Sequence, residues 1–263
     1  MNDSRRRVPM LPVLPAVVAI ALFVLPLLAL VASVSWDRLF TLLGSGGSRD
    51  ALRLSLVCSV TATALSIALG IPLAWLLARS EFPGRGLLRA FLLLPMVLPP
   101  VVGGTALALA FAPDGFAGHL LATWFGLTLP GSTAGVVLAE TFVAMPFLIL
   151  ATEGALRATD SRYEAVAATL GAGRWTTFRR VTLPLIFPSV MAGIVLCWAR
   201  ALGEFGATMT FAGNVAGQTR TMPVAISTTL QSDRDGAIAL SFVLIVVCVG
   251  VLFALRERWV APV

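Results

Sequence analysis

The chain lacks lysine altogether, and all 19 basic residues among its 263 residues are arginines. A Walker A loop needs a lysine to hold the β- and γ-phosphates of ATP. The absence of lysine therefore excludes that type of ATP site, and the chain is predicted to carry no cofactor of its own. If ATP drives the protein, a separate subunit binds the nucleotide.

Histidine and cysteine are nearly as scarce. His119 is the only histidine, so neither a histidine metal cluster nor a histidine-dependent triad can form. The three cysteines lie in separate apolar stretches without metal-ligand spacing, and each is interpreted as a small buried hydrophobe. We therefore predict no metal site and no catalytic residues, and the chain is not expected to be an enzyme.

Charged residues make up only 12% of the chain, while hydrophobic residues make up 58%. A soluble domain carries about twice that charged fraction. Six apolar stretches are long enough, at about 20 residues each, to cross a membrane as helices: 11–34, 54–78, 90–112, 133–152, 181–202 and 237–255. The sequence shows no internal repeat or long linker. It predicts an all-α polytopic membrane protein with one transmembrane domain over 1–263.

The arginines are distributed unevenly between the two sides of the predicted membrane. With the N-terminus inside, the cytoplasmic segments hold the arginines of 5–7, 79–89, 157–180 and 256–258, and the outer loops hold fewer. Cytoplasmic loops of membrane proteins carry such an excess. Both termini are therefore predicted to be cytoplasmic. Membrane lipid, and not nucleic acid, is the predicted partner that accounts for the net charge of +6.

A short charged segment separates the fourth and fifth apolar stretches. Ser161 and Glu164 have the spacing of a capping box, which predicts a helix that begins at about Arg162. Gly171 is placed to end this helix in the left-handed conformation. One apolar face is formed by the residues at i, i+3, i+4 and i+7: Tyr163, Val166, Ala167 and Leu170. A helix this short is marginal alone in water, so it is predicted to dock on a partner.

The same segment resembles the signature loop of the membrane subunits of ATP-binding-cassette importers, which runs Glu-Ala-Ala, three residues, Gly, nine residues, Ile, any residue, Leu-Pro. Four residues keep the distal spacing, with Val in place of Ile: Gly171, Val181, Leu183 and Pro184. Glu164, Ala165 and Ala167 occupy the proximal part, although Glu164 lies seven residues before the glycine instead of six. The resemblance implies a cytoplasmic loop at about 153–182 with a coupling helix. In the family, this helix fits a groove on a partner ATPase, which binds ATP and Mg²⁺.

The third and fourth apolar stretches contain candidates for a path through the membrane. Prolines within 94–104, including Pro99 and Pro100, interrupt helical hydrogen bonding, so the third span must kink or unwind. The interruption indicates either a hinge beside the path or a packing kink. Glu140 lies inside the fourth span, where an unpaired carboxylate costs on the order of a few kcal/mol. It is interpreted as structurally paired rather than as a proton relay.

The end of the fifth span contains a second group of candidates. Arg200 and Glu204 are four residues apart and would face each other on one helix. Phe205 and Gly206 follow, and the glycine allows close helix approach or an interruption of the helix. Arg200 could grip a tetrahedral dianion, but Glu204 would oppose a strong anion site by Coulomb repulsion. The favoured interpretation is an Arg–Glu pair that fixes helix geometry at a gate.

The run Arg-Ala-Leu-Gly-Glu-Phe-Gly-Ala-Thr at 200–208, followed by Phe-Ala-Gly-Asn at 211–214, resembles the molybdate/tungstate permease subunits of these importers. Sulfate/thiosulfate permeases share the Gly-Glu-Phe-Gly core and are the first alternative. An integral membrane enzyme or an autonomous channel is the alternative of another class. The resemblance implies a type I importer permease of the bacterial cytoplasmic membrane. Its implied partners are a second copy of the chain, two ATPase subunits and an extracytoplasmic oxyanion-binding protein.

Overall fold

The computed structural model describes residues 10–160 and 162–255, and these residues form helices with no strand. The helices, in chain order, are α1 Met10–Ala32, α2 Trp36–Gly44, α3 Gly46–Arg79, α4 Arg85–Val97, α5 Pro100–Phe111, α6 Phe116–Phe125, α7 Thr133–Ala158, α8 Arg162–Thr169, α9 Arg174–Thr177, α10 Leu183–Leu202, α11 Gly206–Phe211, α12 Met222–Leu230 and α13 Arg234–Leu255. A π-helical turn at Phe178–Thr182 joins α9 to α10. The predicted all-α fold is confirmed.

Among the described residues, 5 helical segments are long and apolar enough to cross a membrane, and α4 with α5 makes a sixth if the bent pair is one crossing. Each coincides with a predicted stretch, but several are longer. The helix α3 starts at Gly46 instead of 54, and α7 continues to Ala158 instead of 152. The additional residues are the polar ends of these helices, where the backbone hydrogen bonds continue although the residues are no longer apolar. Hydropathy therefore does not detect them.

The helix α7 lies between α3 and α10 at the centre of the bundle. Small side chains fill this contact, and Ala62 of α3, Ala144 of α7 and Cys197 of α10 are fully buried. A β-carbon added at Gly193 would lie 2.8 Å from Ala151 Cβ, so α10 and α7 approach closely. Van der Waals contact between small residues is a main source of helix association in lipid.

The third apolar stretch is sharply broken. The helices α4 and α5 are bent by 119° relative to each other, with Leu98 and Pro99 between them. Pro95, Pro99 and Pro100 have no backbone N–H, so helical hydrogen bonds cannot continue through this segment. Pro100 is the first residue of α5, where the missing N–H would have had no helical partner. The predicted interruption is confirmed, and its angle exceeds an ordinary kink.

The fifth apolar helix begins at Arg174, not near 181, because α9, the π turn and α10 are continuous. Within the turn, the Leu183 N–H donates to the carbonyl of Phe178, five residues earlier. The segment 153–182, which was predicted as a loop, is therefore largely helical. It contains the end of α7, all of α8 and the first turns of the fifth apolar helix.

Candidate functional site

The short helix α8 begins and ends close to the predicted residues. Its first residue is Arg162, whose backbone N–H donates to Asp160 Oδ1 at 2.9 Å. Gly171 has φ +82°, the predicted left-handed conformation. The next N–H donates to the carbonyl of Ala167 at 3.0 Å, and this bond satisfies an acceptor at the helix end. Ser161, the predicted capping residue, lies outside the described residues.

One side of α8 presents an apolar surface, which we call the docking face: Tyr163, Val166 and Leu170. The exposed fractions of these residues are 57%, 58% and 82%. They border a cleft of about 610 Å³, to which Val181 of the π turn also contributes. Ala167 borders the same cleft but is only 7% exposed, so it packs towards the body of the protein. Three adjacent apolar side chains on a helix outside the bundle indicate a surface for a partner.

Glu164 lies between α8 and the membrane helices. Arg79 Nη2 donates to Glu164 Oε1 at 2.9 Å, and Thr182 Oγ1 donates to the same oxygen at 3.0 Å. Arg79 is the last residue of α3, and Thr182 is the last residue of the π turn. We call these three residues the Glu164 brace. The sequence predicted that this carboxylate caps α8 at Ser161, which lies outside the described residues. Among the described residues, the carboxylate joins α8 to α3 and to the π turn, a contact that the sequence analysis did not identify.

Leu183 and Pro184 begin α10 directly after the π turn. Leu183 packs on a buried cluster that includes Leu156 of α7 and Ile186 of α10. Pro184 directly follows the π turn inside the continuous helix, and because proline has no backbone N–H it cannot donate a helical hydrogen bond there. The distal residues of the predicted signature therefore connect α8, through the π turn, to two helices of the bundle.

A buried ion cluster, which the sequence analysis did not identify, lies at the end of α7 that precedes α8. The side chain of Glu153 is 0% exposed, and its oxygens lie 2.7 Å from Arg157 Nη2 and 3.1 Å from Arg89 Nε. Arg157 also donates to the carbonyl of Leu77 at 3.3 Å. The cluster thus joins α3, α4 and α7. The four-residue spacing of Glu153 and Arg157 would have predicted one contact, but Arg89 comes from a different helix.

The candidate path residues of the third and fifth apolar stretches meet where α5 contacts α11. A β-carbon added at Gly206 would lie 2.6 Å from Pro100 Cβ, and one added at Gly104 would lie 2.9 Å from Ala207 Cα. Neither position has room for a β-carbon, which would meet the ring of Pro100 at Gly206 and the backbone of Ala207 at Gly104. Phe205, immediately before α11, remains 39% exposed. The structure therefore assembles residues that are about 100 positions apart in sequence.

The predicted pair of Arg200 and Glu204 is present, with 2.6 Å between Arg200 Nη1 and Glu204 Oε2. Glu204 is buried, and its Oε1 accepts the N–H of Ala207 at 2.7 Å. Glu204 therefore fixes the corner between α10 and α11 by bonding to both helices. Because this carboxylate neutralises Arg200, the arrangement favours a structural pair over a strong anion site.

The predicted pairing of Glu140 is not formed within the described residues of this chain, and pairing with another subunit stays a prediction. Glu140 is 1% exposed, and within the described ranges its Oε2 has no hydrogen-bond partner and the carboxylate forms no ion pair. Arg200 bonds to Glu204 and leaves Glu140 without that counterion. No group of three or more potential metal-ligating side chains occurs in 10–160 and 162–255, so nothing there indicates that Glu140 binds a metal.

The chain matches a family model described as "binding-protein-dependent transport system inner membrane component" over residues 70–262. The molybdenum transport system permease protein ModB of Mycobacterium tuberculosis is 48% identical over 225 residues, which cover 86% of this chain and 85% of that protein. The sulfate transport system permease protein CysT of Escherichia coli is 35% identical over 226 residues, which cover 86% of this chain and 81% of that protein.

Among solved structures, a bacterial ABC transporter that imports the acidic polysaccharide alginate contains a similar chain. The TM-score is 0.75, the sequence identity is 19%, and the match covers 95% of this chain and 94% of the other. At this identity the likeness concerns the fold, and it confirms the predicted permease architecture.

Proposed function

Because the chain belongs to the family of binding-protein-dependent transport system inner membrane components, we propose that it is the membrane-spanning permease subunit of an ATP-driven molybdate importer. The 48% identity to a protein named as a molybdenum permease, against 35% to a sulfate permease, supports molybdate as the substrate. Tungstate, a tetrahedral dianion like molybdate, is expected to use the same path. A sulfate permease remains the second candidate because the sulfate relative covers the same share of this chain.

The position of α8 is the observation that supports a coupling of this chain to an ATPase. The docking face is exposed on one side, while the Glu164 brace bonds the helix to α3 and the π turn on the other. A partner that seats Tyr163, Val166 and Leu170 would therefore move α8 together with the membrane helices. We propose that this partner is a cytoplasmic ATPase subunit, which binds the ATP and Mg²⁺ that drive transport.

In the proposed transporter, two copies of the chain form the path at their symmetry axis, since a two-fold is the commonest closed symmetry. Each copy binds one ATPase subunit, and an extracytoplasmic binding protein delivers the oxyanion to the outer loops. Closure of the ATPase pair on ATP brings the two α8 helices together and opens the path outwards. Hydrolysis then resets it. Both termini and α8 face the cytoplasm in this arrangement.

The gate is assigned to the contact of α5 with α11 and to the neighbouring Arg200–Glu204 pair. Neutralisation of Arg200 by Glu204 leaves this region with weak rather than strong attraction for a dianion. Weak binding suits a path, because a tightly bound substrate would be released slowly. Pro99 at the α4–α5 break provides the hinge in this proposal.

The docking face is tested with Leu170→Asp, which places a charge in the middle of the proposed ATPase contact. We expect the purified permease variant to lose the ATPase subunit on copurification and to lose molybdate uptake at an unchanged amount in the membrane. Thr169→Asp is the matched control because it adds the same charge to the adjacent exposed position. If Leu170→Asp retains the ATPase and uptake, the coupling assignment is wrong. An enzyme or an autonomous channel would have no ATPase to lose.

The substrate is tested by uptake of trace molybdate in cells that lack the chain and in cells in which it is restored. Restored uptake that persists in excess sulfate supports the molybdate importer. Uptake that sulfate abolishes favours the sulfate permease, and uptake that does not depend on the chain overturns the substrate assignment. Addition of tungstate is expected to compete with molybdate.

A further inference from the structure

A second cleft, separate from the docking face and from the gate, lies between α3 and the start of the fifth apolar helix. Its volume is about 570 Å³. Its lining includes the apolar residues Ala68, Ile71 and Pro72 of α3, which we call the floor, and Trp75, Arg174 and Trp175, which we call the mouth. None of these residues has a role in the proposed coupling or gating.

The floor of the cleft lies within α3, which is long and apolar enough to cross a membrane. Ala68 and Trp75 are seven residues apart, which corresponds to about 10 Å along the helix axis at 1.5 Å per residue. Arg79 ends α3 one turn beyond Trp75. The cleft therefore extends from the hydrocarbon region to the interface with water, on the same side of the membrane as α8. A soluble ligand would have no access to the apolar end.

The aromatic residues at the mouth are not part of the protein core. Trp175 is 72% exposed and stacks on Phe178, with 5.8 Å between ring centroids, and Trp75 is 41% exposed. Tryptophan is enriched at the level of lipid headgroups, where its apolar ring and its N–H both find suitable surroundings. Two exposed tryptophans beside an apolar floor are therefore suited to the junction between the acyl chain and the headgroup.

The mouth of the cleft also carries positive charge without a protein counterion. Arg174 is exposed and forms no ion pair in the part of the chain that the structure describes. Glu164 borders the adjacent cavity with Arg174, but its carboxylate is bonded to Arg79 and Thr182. A negatively charged group at the mouth would therefore meet an available guanidinium. Basic pockets between membrane helices bind anionic headgroups in this way.

We propose that this cleft binds one anionic phospholipid of the leaflet on the α8 side. An acyl chain lies along Ala68 and Ile71, and the phosphate lies at Arg174. The proposal needs the membrane embedding of the chain and does not depend on which anion the protein transports. The bound lipid contacts both α3 and the first turn of the fifth apolar helix. The Glu164 brace bonds α8 to these same two elements, so the lipid would stabilise the brace.

The test measures phospholipid retained by the full-length chain, in its purified assembly, by native mass spectrometry. Palmitoyl-oleoyl phosphatidylglycerol is compared with the zwitterionic phosphatidylcholine of the same acyl chains. We expect preferential retention of phosphatidylglycerol, reduced about fivefold by Arg174→Gln, since one basic residue near an anionic surface contributes about that much. Arg85→Gln is the matched control, because it removes the same charge from α4 and is expected to have no effect.

A second variant separates a lipid from a simple anion. Ala68→Trp fills the floor of the cleft without changing any charge, and the exposed, apolar setting of Ala68 should tolerate the larger side chain. We expect it to lower phosphatidylglycerol retention as much as Arg174→Gln does. The proposal is overturned if both lipids are retained equally, if Arg174→Gln and Arg85→Gln behave alike, or if Ala68→Trp retains the lipid. A cleft covered by a second copy of the chain would retain neither lipid, and that result also overturns it.

Discussion

Glu164→Gln removes the charge from the centre of the Glu164 brace while keeping the size of the side chain. The side chains of Arg79 and Glu164 are 18% and 28% exposed, so water screens their 2.9 Å contact only in part. A hydrogen bond to a charged group contributes about 1.5–3 kcal/mol. The amide oxygen can still accept from Thr182, so we expect a loss of about 2 kcal/mol. This corresponds to an approximately 30-fold smaller preference of α8 for its docked position.

Hydrogen–deuterium exchange of the α8 amides measures this preference directly. We expect exchange in Glu164→Gln to accelerate by about the same factor, because amides become exposed when α8 separates from α3 and the π turn. Glu81→Gln is the matched control, since Glu81 is an exposed carboxylate on the same side of the membrane and forms no ion pair among the described residues. Molybdate uptake should fall in the first variant and not in the second.

A double-mutant cycle with Arg79→Gln shows whether the two residues act together. The single variants should have similar effects, and the double variant should be little worse than either one, because each change breaks the same bond. Additive effects would mean that Arg79 and Glu164 stabilise α8 independently. If the α8 amides exchange at the same rate in Glu164→Gln as in Glu81→Gln, the Glu164 brace does not hold α8 in place.

Three further predictions concern Gly171, Glu140 and the Glu153 cluster. Gly171→Val places a β-branched residue at φ +82°, at a cost of at least about 1–2 kcal/mol. Uptake should fall while immunoblotting shows the same amount of the protein in the membrane, and normal uptake would contradict the need for a left-handed residue at this position. Glu140→Leu replaces a buried carboxyl group, whose Oε2 has no hydrogen-bond partner among the described residues, with an apolar side chain, so the melting temperature in detergent should rise, and a fall would show that the carboxyl group has a partner in the assembly. Glu153→Gln weakens the contacts to Arg89 and Arg157, whose side chains are each 41% exposed. Because water screens these contacts in part, the free energy of unfolding should fall by about 2 kcal/mol, which is less than for a fully buried pair. An unchanged melting temperature would contradict this.

Features that depend on neighbouring residues could be predicted from the sequence. The end of α8 at Gly171, the pairing of Arg200 with Glu204 and the interruption of the third stretch all follow from residues within about one or two helical turns. The apolar length of each span likewise predicted the bundle, because a helix is the simplest way to satisfy the backbone in lipid.

Features that depend on packing could not be predicted in the same way. Arg79 and Glu164 are 85 residues apart, and no spacing rule brings them together. The sequence could not show that Arg200 bonds to Glu204, four residues later, and so supplies no counterion to Glu140 within this chain. The 119° angle between α4 and α5 depends on what each helix packs against. The π turn has no sequence signal that we could have used.

The close contact between α5 and α11 limits the ways in which the proposed gate can move. With Gly206 against the ring of Pro100 and Gly104 against the backbone of Ala207, little room is left for one helix to slide or roll over the other. We therefore expect the two helices to move together as one rigid unit. Its two pivots are the non-helical residues Leu98–Pro99 on one side and Gly203–Phe205 on the other. A unit held at two such segments rotates most easily about the line that joins them, so we expect a displacement of α10 to turn α5 and α11 together.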